Sequence, residues 1–141
     1  MLDNLNSLEM LNTSSTEELG MELYLKKRKK IMIIDDDMDF RLFVSELLVD
    51  EGYSVTTAKD GEIGLNHLVH NNDRPDLILV DLMMPIKSGM EFRREQLKLE
   101  DVSNIPVMFL TGHGYVEGES CLLKPFDERE FKSAVRRHLE K

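Results

Sequence analysis

The feature that most constrains the fold is a series of short, continuously apolar runs that alternate with longer stretches of helical periodicity. The clearest runs are Ile31–Ile34 (IMII), Leu77–Val80 (LILV) and Ile105–Leu110 (IPVMFL), and two β-rich segments, Tyr53–Ala58 and Cys121–Leu123, extend the series. Strands that are apolar on both faces are typical of parallel sheets covered by helices on both sides. The pattern therefore predicts an α/β doubly wound, five-stranded parallel sheet.

Helical periodicity fills most of the segments between and after these strands. The apolar residues expected to face the sheet are Phe40, Phe43, Val44, Leu47 and Leu48, then Ile63, Leu65, Leu68 and Val69, and near the C-terminus Phe131, Ala134, Val135, His138 and Leu139. Another helix is predicted over Met90–Leu99, and a short one begins near Ser15. The helix after the first strand has a candidate N-cap in Asp37 or Asp39, and the last helix has one in Asp127. Their side chains can accept hydrogen bonds from free backbone N–H groups.

The segment Gly112–Ser120 is too short for an ordinary crossover between the last two strands. A parallel crossover normally needs about a dozen residues or more and contains a helix. This one has nine residues, and three of them are glycine, which disfavours a helix by up to about 1 kcal/mol each. We expect the fourth crossover helix to be reduced to a loop. Residues 16–25, with Leu19, Leu23 and Tyr24, are a candidate cover for the sheet there, and so is a second molecule.

Length and charge narrow the class of protein. The chain has 141 residues, enough for one ordinary domain, and a net charge of −9, which disfavours direct contact with nucleic acid or an anionic membrane. The single cysteine, Cys121, excludes an internal disulfide, and no apolar stretch approaches the roughly 20 residues of a membrane span. We expect a cytoplasmic protein. The basic run KKRKK at 26–30 is interpreted as a solvated segment that balances the acidic residues before it.

Chemically active side chains follow the predicted strands. Asp35 and Asp36 follow the first strand, Asp81 the third, Thr111 the fourth and Lys124 the fifth. Because ligands of such folds bind beyond the carboxyl ends of the strands, these side chains should meet at one edge. Neighbouring carboxylates repel each other unless a cation neutralises them, and Mg²⁺ is the typical choice.

This arrangement suits the covalent capture of a phosphoryl group. With a metal bound, Asp81 keeps an oxygen free to attack phosphorus, while Lys124 and the metal balance the charge of the phosphoryl oxygens. Thr111 can donate a hydrogen bond to one of those oxygens, and Gly112 leaves its backbone N–H open to another. Each residue alone has a structural explanation, since an Asp after a strand is often an N-cap. The combination and its order are more specific than any one residue.

At these residues the sequence resembles the receiver domain of two-component response regulators. The motifs are IMIIDDD, RPDLILVDLMMP, IPVMFLT and LLKPFD. The resemblance covers 30–141 as a receiver domain and leaves 1–29 as an N-terminal tail with a short helix. It implies the flavodoxin-like, CheY-like form of the fold and a cis peptide bond between Lys124 and Pro125.

The resemblance also implies a role for each residue at the site. Asp81 would be the phospho-acceptor, and Asp36, Asp81 and the backbone carbonyl of Met83 would hold Mg²⁺, with Asp35 acting mainly through water. Thr111 and Lys124 would be the switch hydroxyl and the charge-balancing lysine. The partners would be a sensor histidine kinase or phosphotransfer protein and a downstream protein. Because nothing follows Lys141, we expect output through another protein or a phosphorelay, with a homodimer left open.

The sequence departs from the family at a few positions. Cys121 stands where the family usually has an aromatic residue whose rotation reports phosphorylation, and a small packing role is favoured there over a redox role. Lys87 and Ser88 replace the usual Met and Asp. His113, like Met83, occupies a position that in the family tunes hydrolysis of the aspartyl phosphate.

Two other functions remain open on the sequence alone. One is an enzyme of the haloacid-dehalogenase type, because Asp35 and Asp37 imitate its nucleophile motif, although Asp39 replaces the Thr or Val expected there. The other is a receiver-like scaffold that binds partners without regulated phosphorylation. On the resemblance to receiver domains, we expect the protein to be a signalling module rather than an enzyme, with phosphotransfer and autodephosphorylation as its only reactions.

Overall fold

The computed structural model describes residues 15–24 and 28–140 of the chain. The remaining parts of the predicted tail, 1–14 and 25–27, lie outside the described residues. A helix, α1, covers 15–24 and precedes the sheet. No helix in the described part of the chain is long and apolar enough to cross a membrane.

Five parallel strands form one sheet in the order β2-β1-β3-β4-β5. Their bounds are β1 Lys30–Ile34, β2 Ser54–Ala58, β3 Leu77–Asp81, β4 Val107–Thr111 and β5 Ser120–Leu123. The three central strands, β1, β3 and β4, are almost wholly buried, as their continuous apolar sequences require. The predicted doubly wound α/β fold is therefore confirmed.

Four helices accompany the sheet, and each begins at a side chain that caps its free N–H groups. The bounds are α2 Met38–Asp50, α3 Gly61–His70, α4 Gly89–Leu97 and α5 Glu128–Leu139, with N-caps Asp37, Asp60, Ser88 and Asp127. The expected caps Asp37 and Asp127 are confirmed. Ser88, one of the departures from the family pattern, forms a reciprocal capping box with Glu91.

The two faces of the sheet carry separate hydrophobic cores. On one face, α2 and α5 contribute Val44, Leu48, Phe131, Ala134 and Val135. On the other face, Leu68 of α3 and Phe92 of α4 pack against alternate residues of the same strands. Side chains of successive strand residues point to opposite faces, so a run such as Leu77–Val80 serves both cores.

The crossover between β4 and β5 contains no helix, as its length and glycine content predicted. Residues 112–119 form a loop, and Gly114 and Gly118 have positive φ angles of 97° and 79°, a region that glycine adopts without strain. The strands still pair in full register, from Met108 opposite Ser120 to Thr111 opposite Leu123. β5, at the edge of the sheet, is only half-buried.

Some of the predicted packing is wrong. Phe43 and Val69 were expected to face the sheet, but they are 52% and 49% exposed. The periodicity placed both on the apolar stripe of their helices, but the contact between helix and sheet is too narrow to bury them. The candidate cover formed by Leu19, Leu23 and Tyr24 is not present either, since all residues of α1 are exposed and these three are at least 50% exposed.

Candidate functional site

The carboxylates predicted from the strand ends lie together. One oxygen of each of Asp35, Asp36 and Asp81 lies within 4.8 Å of the others. The pairing of β1 with β3, which places Ile34 opposite Val80, brings the residues that follow these strands side by side. Asp35 is buried, Asp36 is exposed and Asp81 is half-buried, so the cluster opens to solvent on one side. This set of oxygens fits a hard divalent cation.

Asp35 is the buried member of the cluster, at 1% exposed, and each of its carboxylate oxygens accepts a hydrogen bond. One oxygen accepts from the backbone N–H of Asp37 at 2.9 Å, and the other accepts from the ammonium of Lys124 at 2.8 Å. The main-chain carbonyl of Asp35 accepts from the guanidinium of Arg41 at 2.6 Å. These bonds offset the cost of burying a charge at the end of β1.

Lys124 reaches the cluster from the end of β5, the edge strand of the sheet. Its peptide N–H donates to the carbonyl of Thr111 at 2.8 Å, which extends the β4–β5 ladder by one bond. The peptide bond between Lys124 and Pro125 is cis, as the resemblance implied. The ammonium lies 3.9 Å from the second oxygen of Asp81 and 3.9 Å from the centre of the Phe40 ring.

The environment of Asp81 favours the neutral form of its carboxyl group and so raises its pKa. Burial raises its pKa above the usual range, and the negative charges of Asp35 and Asp36 raise it further. Lys124 and a hydrogen bond from the N–H of Met83 act in the opposite direction without cancelling the rise. A bound cation would relieve this repulsion and keep Asp81 ionised, which is the form needed for nucleophilic attack.

Thr111 and Gly112 lie next to this cluster at the end of β4. Thr111 is fully buried, and its hydroxyl oxygen accepts from the N–H of His113 at 2.9 Å. A Cβ atom at Gly112 would meet no atom within 4 Å, so packing within the protein does not require glycine there. Gly89 differs, because a Cβ there would lie 2.3 Å from the carbonyl oxygen of Asp81, and only glycine fits so close to the cluster.

Cys121, the predicted switch position, lies apart from the carboxylates. Its side chain packs at the margin of the core on the face of α3 and α4. The sulfur accepts from the N–H of Val116 at 3.3 Å and is half-buried. Met83, by contrast, has a side chain that is 61% exposed near the cluster.

Two contributors to the site were not predicted. Arg41 was not singled out and Phe40 was expected only to face the sheet, whereas the first turns of α2 bring them to Asp35 and Lys124. Their position directly after the acidic run was the one available signal. This signal was too weak to predict the contact, because Lys124, the partner of Phe40, is more than 80 residues away in the sequence.

The comparisons with known proteins identify the family of this fold. A family model described as the response regulator receiver domain matches residues 31–136. The chain belongs to this family. Receiver domains are signalling modules rather than classical enzymes.

Curated relatives of this receiver domain are transcriptional regulators. A CpxR homolog of Haemophilus influenzae, described as a transcriptional regulatory protein, is 35% identical over 116 residues, which cover 76% of this chain and 48% of that protein. The transcriptional regulatory protein YrkP of Bacillus subtilis is 33% identical, with coverage of 75% and 47%. The chain thus spans about half the length of the curated relatives it matches.

Solved structures show the same fold. Chemotaxis protein CheY4 of Vibrio cholerae is 30% identical, with a TM-score of 0.73 over 79% of this chain and 99% of that one. A putative response regulator from Chloroflexus aurantiacus is 25% identical, with a TM-score of 0.74 and coverage of 82% and 100%. The five-stranded parallel sheet of this receiver domain is therefore that of its family.

Proposed function

We propose that this receiver domain, residues 30–141 with 1–29 as a tail, accepts a phosphoryl group on Asp81 from a histidine kinase or phosphotransfer protein. The observation that carries the proposal is the cluster of Asp35, Asp36 and Asp81 within 4.8 Å, with Lys124 beside it. An oxygen of Asp81 forms the bond to phosphorus as the phosphorus–nitrogen bond of the donor imidazole breaks. The imidazole nitrogen then takes a proton from solvent.

Mg²⁺ is the cofactor that this cluster of oxygens suits. Asp36, Asp81 and the backbone carbonyl of Met83 would hold it, with Asp35 acting through water. When bound, the ion supplies positive charge that offsets the carboxylates and the transferred phosphoryl oxygens. The strong pairing of Asp35 with Lys124 and Asp37 supports an indirect part for Asp35, because both of its oxygens already accept hydrogen bonds.

Lys124, Thr111 and Gly112 complete the proposed phosphoryl site. The ammonium of Lys124 pairs with a phosphoryl oxygen, since it already lies 3.9 Å from Asp81. Thr111 turns its hydroxyl from the N–H of His113 to the phosphoryl group, and that change is the switch. The N–H of Gly112 donates to a phosphoryl oxygen.

We propose that the phosphorylated receiver acts through a downstream protein partner or passes its phosphoryl group on in a phosphorelay. The domain itself does not contact nucleic acid, which its net charge of −9 supports. The proposed location is the cytoplasm, where histidine kinases present their phosphorylated histidine.

Labelling with a radioactive small phosphodonor, such as acetyl phosphate with Mg²⁺, tests the acceptor. The wild-type chain and Asp101→Asn, a control at a side chain that is 82% exposed, are expected to take up equal, alkali-labile label. Asp81→Asn is expected to take up none, since an amide oxygen does not form the acyl phosphate. Label retained in Asp81→Asn and lost in Asp35→Asn would instead indicate the dehalogenase-type reaction.

A scaffold without regulated phosphorylation is the second candidate. It is favoured by the loop at 112–119 and by Cys121 at the switch position, because these parts normally transmit the signal. Partner proteins are first captured with the wild-type and the Asp81→Asn chains. Their affinity for the receiver domain is then measured with and without beryllofluoride and Mg²⁺, which distinguishes a phosphorylation-controlled receiver from a scaffold. The phosphorylation proposal requires different affinities, and equal affinities favour the scaffold.

A further inference from the structure

The ammonium of Lys124 has an aromatic neighbour as well as its carboxylate partners. It lies 3.9 Å from the centre of the Phe40 ring, 2.8 Å from Asp35 and 3.9 Å from Asp81. The side chain of Lys124 is 24% exposed, so water reaches it only in part. A cation within about 6 Å of a ring face is attracted by the negative charge density of that face, most strongly where water is excluded.

The Phe40 ring is itself fixed by a chain of aromatic contacts that ends in the core. It meets Phe126 edge to face, with ring centres 6.0 Å apart and planes at 71°. Phe126 stacks on Phe131 at 5.2 Å, and Phe131 is fully buried. Edge-to-face and stacked pairs favour a defined ring orientation. The face of Phe40 below Lys124 is therefore held by the rigid part of the domain.

Lys124 needs such support because its task involves a change of partner. Without a phosphoryl group its ammonium bonds to Asp35, at 2.8 Å, rather than to Asp81. A flexible lysine released from Asp35 gains entropy by turning to solvent. An ammonium that stays over the ring remains next to Asp81, where an added phosphoryl oxygen comes within its reach.

We propose that Phe40 is a positioning residue for phosphoryl capture, holding the ammonium of Lys124 over the acidic edge while it exchanges Asp35 for the phosphoryl group on Asp81. The inference rests on the proposed function of Asp81. Simple packing is the competing role of Phe40, because its ring also lines an open apolar groove of about 390 Å³ with Phe43 and Phe126. A side chain of similar shape would serve packing equally well, whereas positioning depends on the charge density of the ring face.

Ring fluorination at position 40 separates these roles. Replacing Phe40 by mono-, di-, tri- and pentafluorophenylalanine withdraws charge density from the face with little change of shape. We expect the dissociation constant for beryllofluoride, measured with saturating Mg²⁺, to rise stepwise with the number of fluorines. The total rise should be about two- to thirtyfold, the range that cation–π energies imply. The rate of labelling by acetyl phosphate should fall in the same order.

Natural substitutions give a second series. Phe40→Leu is expected to match the most fluorinated variant, while Phe40→Tyr and Phe40→Trp, which keep a ring face, stay near the wild type. Phe43→Leu is the matched control, since Phe43 lines the same groove and is not the ring over which Lys124 lies. Affinity for Mg²⁺ alone should be the same in every variant, because Lys124 is not a ligand of the ion.

The outcomes distinguish this inference from the proposed function. If the wild type takes up label and the fluorinated variants bind beryllofluoride equally well, Phe40 only packs and the inference fails. A parallel loss of Mg²⁺ affinity and of thermal stability in the fluorinated series would also overturn it, since that indicates general disruption. If the wild type takes up no label at Asp81, the proposed function itself fails.

Discussion

Two crossovers of the same sheet are built in very different ways. The connection from β3 to β4 uses residues 82–106 and includes α4, whereas the connection from β4 to β5 uses only 112–119 and has no helix. Both lead to strands that carry site residues at their ends. The short crossover nevertheless brings the ammonium of Lys124 to 2.8 Å from Asp35 and 3.9 Å from Asp81.

The long crossover is held by buried groups. Phe92 and Gln96 of α4 are fully buried, and Val102 is almost so. The amide of Gln96 donates to the carbonyls of Val102 and Ile105, both at 3.0 Å, so it fixes the chain that leads into β4. This connection is part of the core.

The short crossover is held by polar contacts at its end. Arg93 of α4 pairs with Glu119 at 3.2 Å, and the sulfur of Cys121 accepts from the N–H of Val116. Tyr115, in its middle, is 76% exposed. The difference teaches that β5 can be held without a crossover helix, since it pairs with β4 along its whole length and Ser120 forms a 2.7 Å hydrogen bond with His138 of α5.

The largest expected effect comes from the buried amide of the long crossover. Gln96→Leu removes the side-chain donor of the Ile105 carbonyl and leaves the Val102 carbonyl only the 3.2 Å bond from the N–H of Ile105, and we expect it to lower the free energy of unfolding by about 1–3 kcal/mol. Glu119→Gln, in the short crossover, should lower it by only about 1 kcal/mol although Arg93 and Glu119 are 17% and 16% exposed, because the amide oxygen can still accept from the guanidinium of Arg93. Urea denaturation measures the free energy of unfolding of both variants. Equal losses of stability would mean that the two crossovers do not differ in how strongly they are held.

A smaller gain is expected at a strained residue of the long crossover. Ile86 has a φ angle of 69°, is 79% exposed, and lies in a tight turn closed by a 2.7 Å hydrogen bond from the N–H of Lys87 to the carbonyl of Pro85. A β-branched residue in this region costs about 1–2 kcal/mol, and asparagine tolerates it better. Ile86→Asn should therefore stabilise the domain by about 1 kcal/mol in thermal denaturation.

The control for this prediction is Ile86→Val, which keeps the branched Cβ and should leave the melting temperature unchanged. A loss of stability in Ile86→Asn would mean that the exposed Ile86 side chain contributes more than its backbone strain costs. The side chain of Ile86 would then pack more closely against the long crossover than its exposed fraction indicates.

The smallest expected effect is a pH dependence of the free energy of unfolding, caused by Asp81, the last residue of β3 before the long crossover. The pKa of Asp81 is raised in the folded protein, chiefly by burial, so the folded state binds its proton more tightly than the unfolded state does. Stability from this group is present at acid pH and is lost as the pH rises through the raised pKa. Asp81→Asn should therefore be more stable than the wild type at neutral pH, with the difference shrinking in acid.

Denaturation at several pH values with a chelator present measures this difference, because a bound cation would remove the repulsion that Asp81→Asn relieves. Asp101→Asn, at a side chain that is 82% exposed, is the matched control. A difference that grows in acid would contradict the direction assigned to the pKa of Asp81.

Much of the fold and of the site could be predicted from the sequence, because both depend on short-range pattern. Continuously apolar runs require burial on both faces, and the residues directly after them must lie at the carboxyl edge of a parallel sheet. Asp35, Asp36, Asp81, Thr111 and Lys124 are all placed by this rule. The loop at 112–119 follows in the same way from length and glycine content.

Only the tertiary structure decided which side chains meet across distant elements. Periodicity gives the direction of a side chain but not the width of the contact it faces, so Phe43 was placed inside and lies half-exposed. It also cannot show that Phe40 lies below Lys124, or that Gln96 fixes the entry to β4. These contacts join residues from separate helices, strands and loops, and their geometry is set by how the elements pack, which no local segment contains.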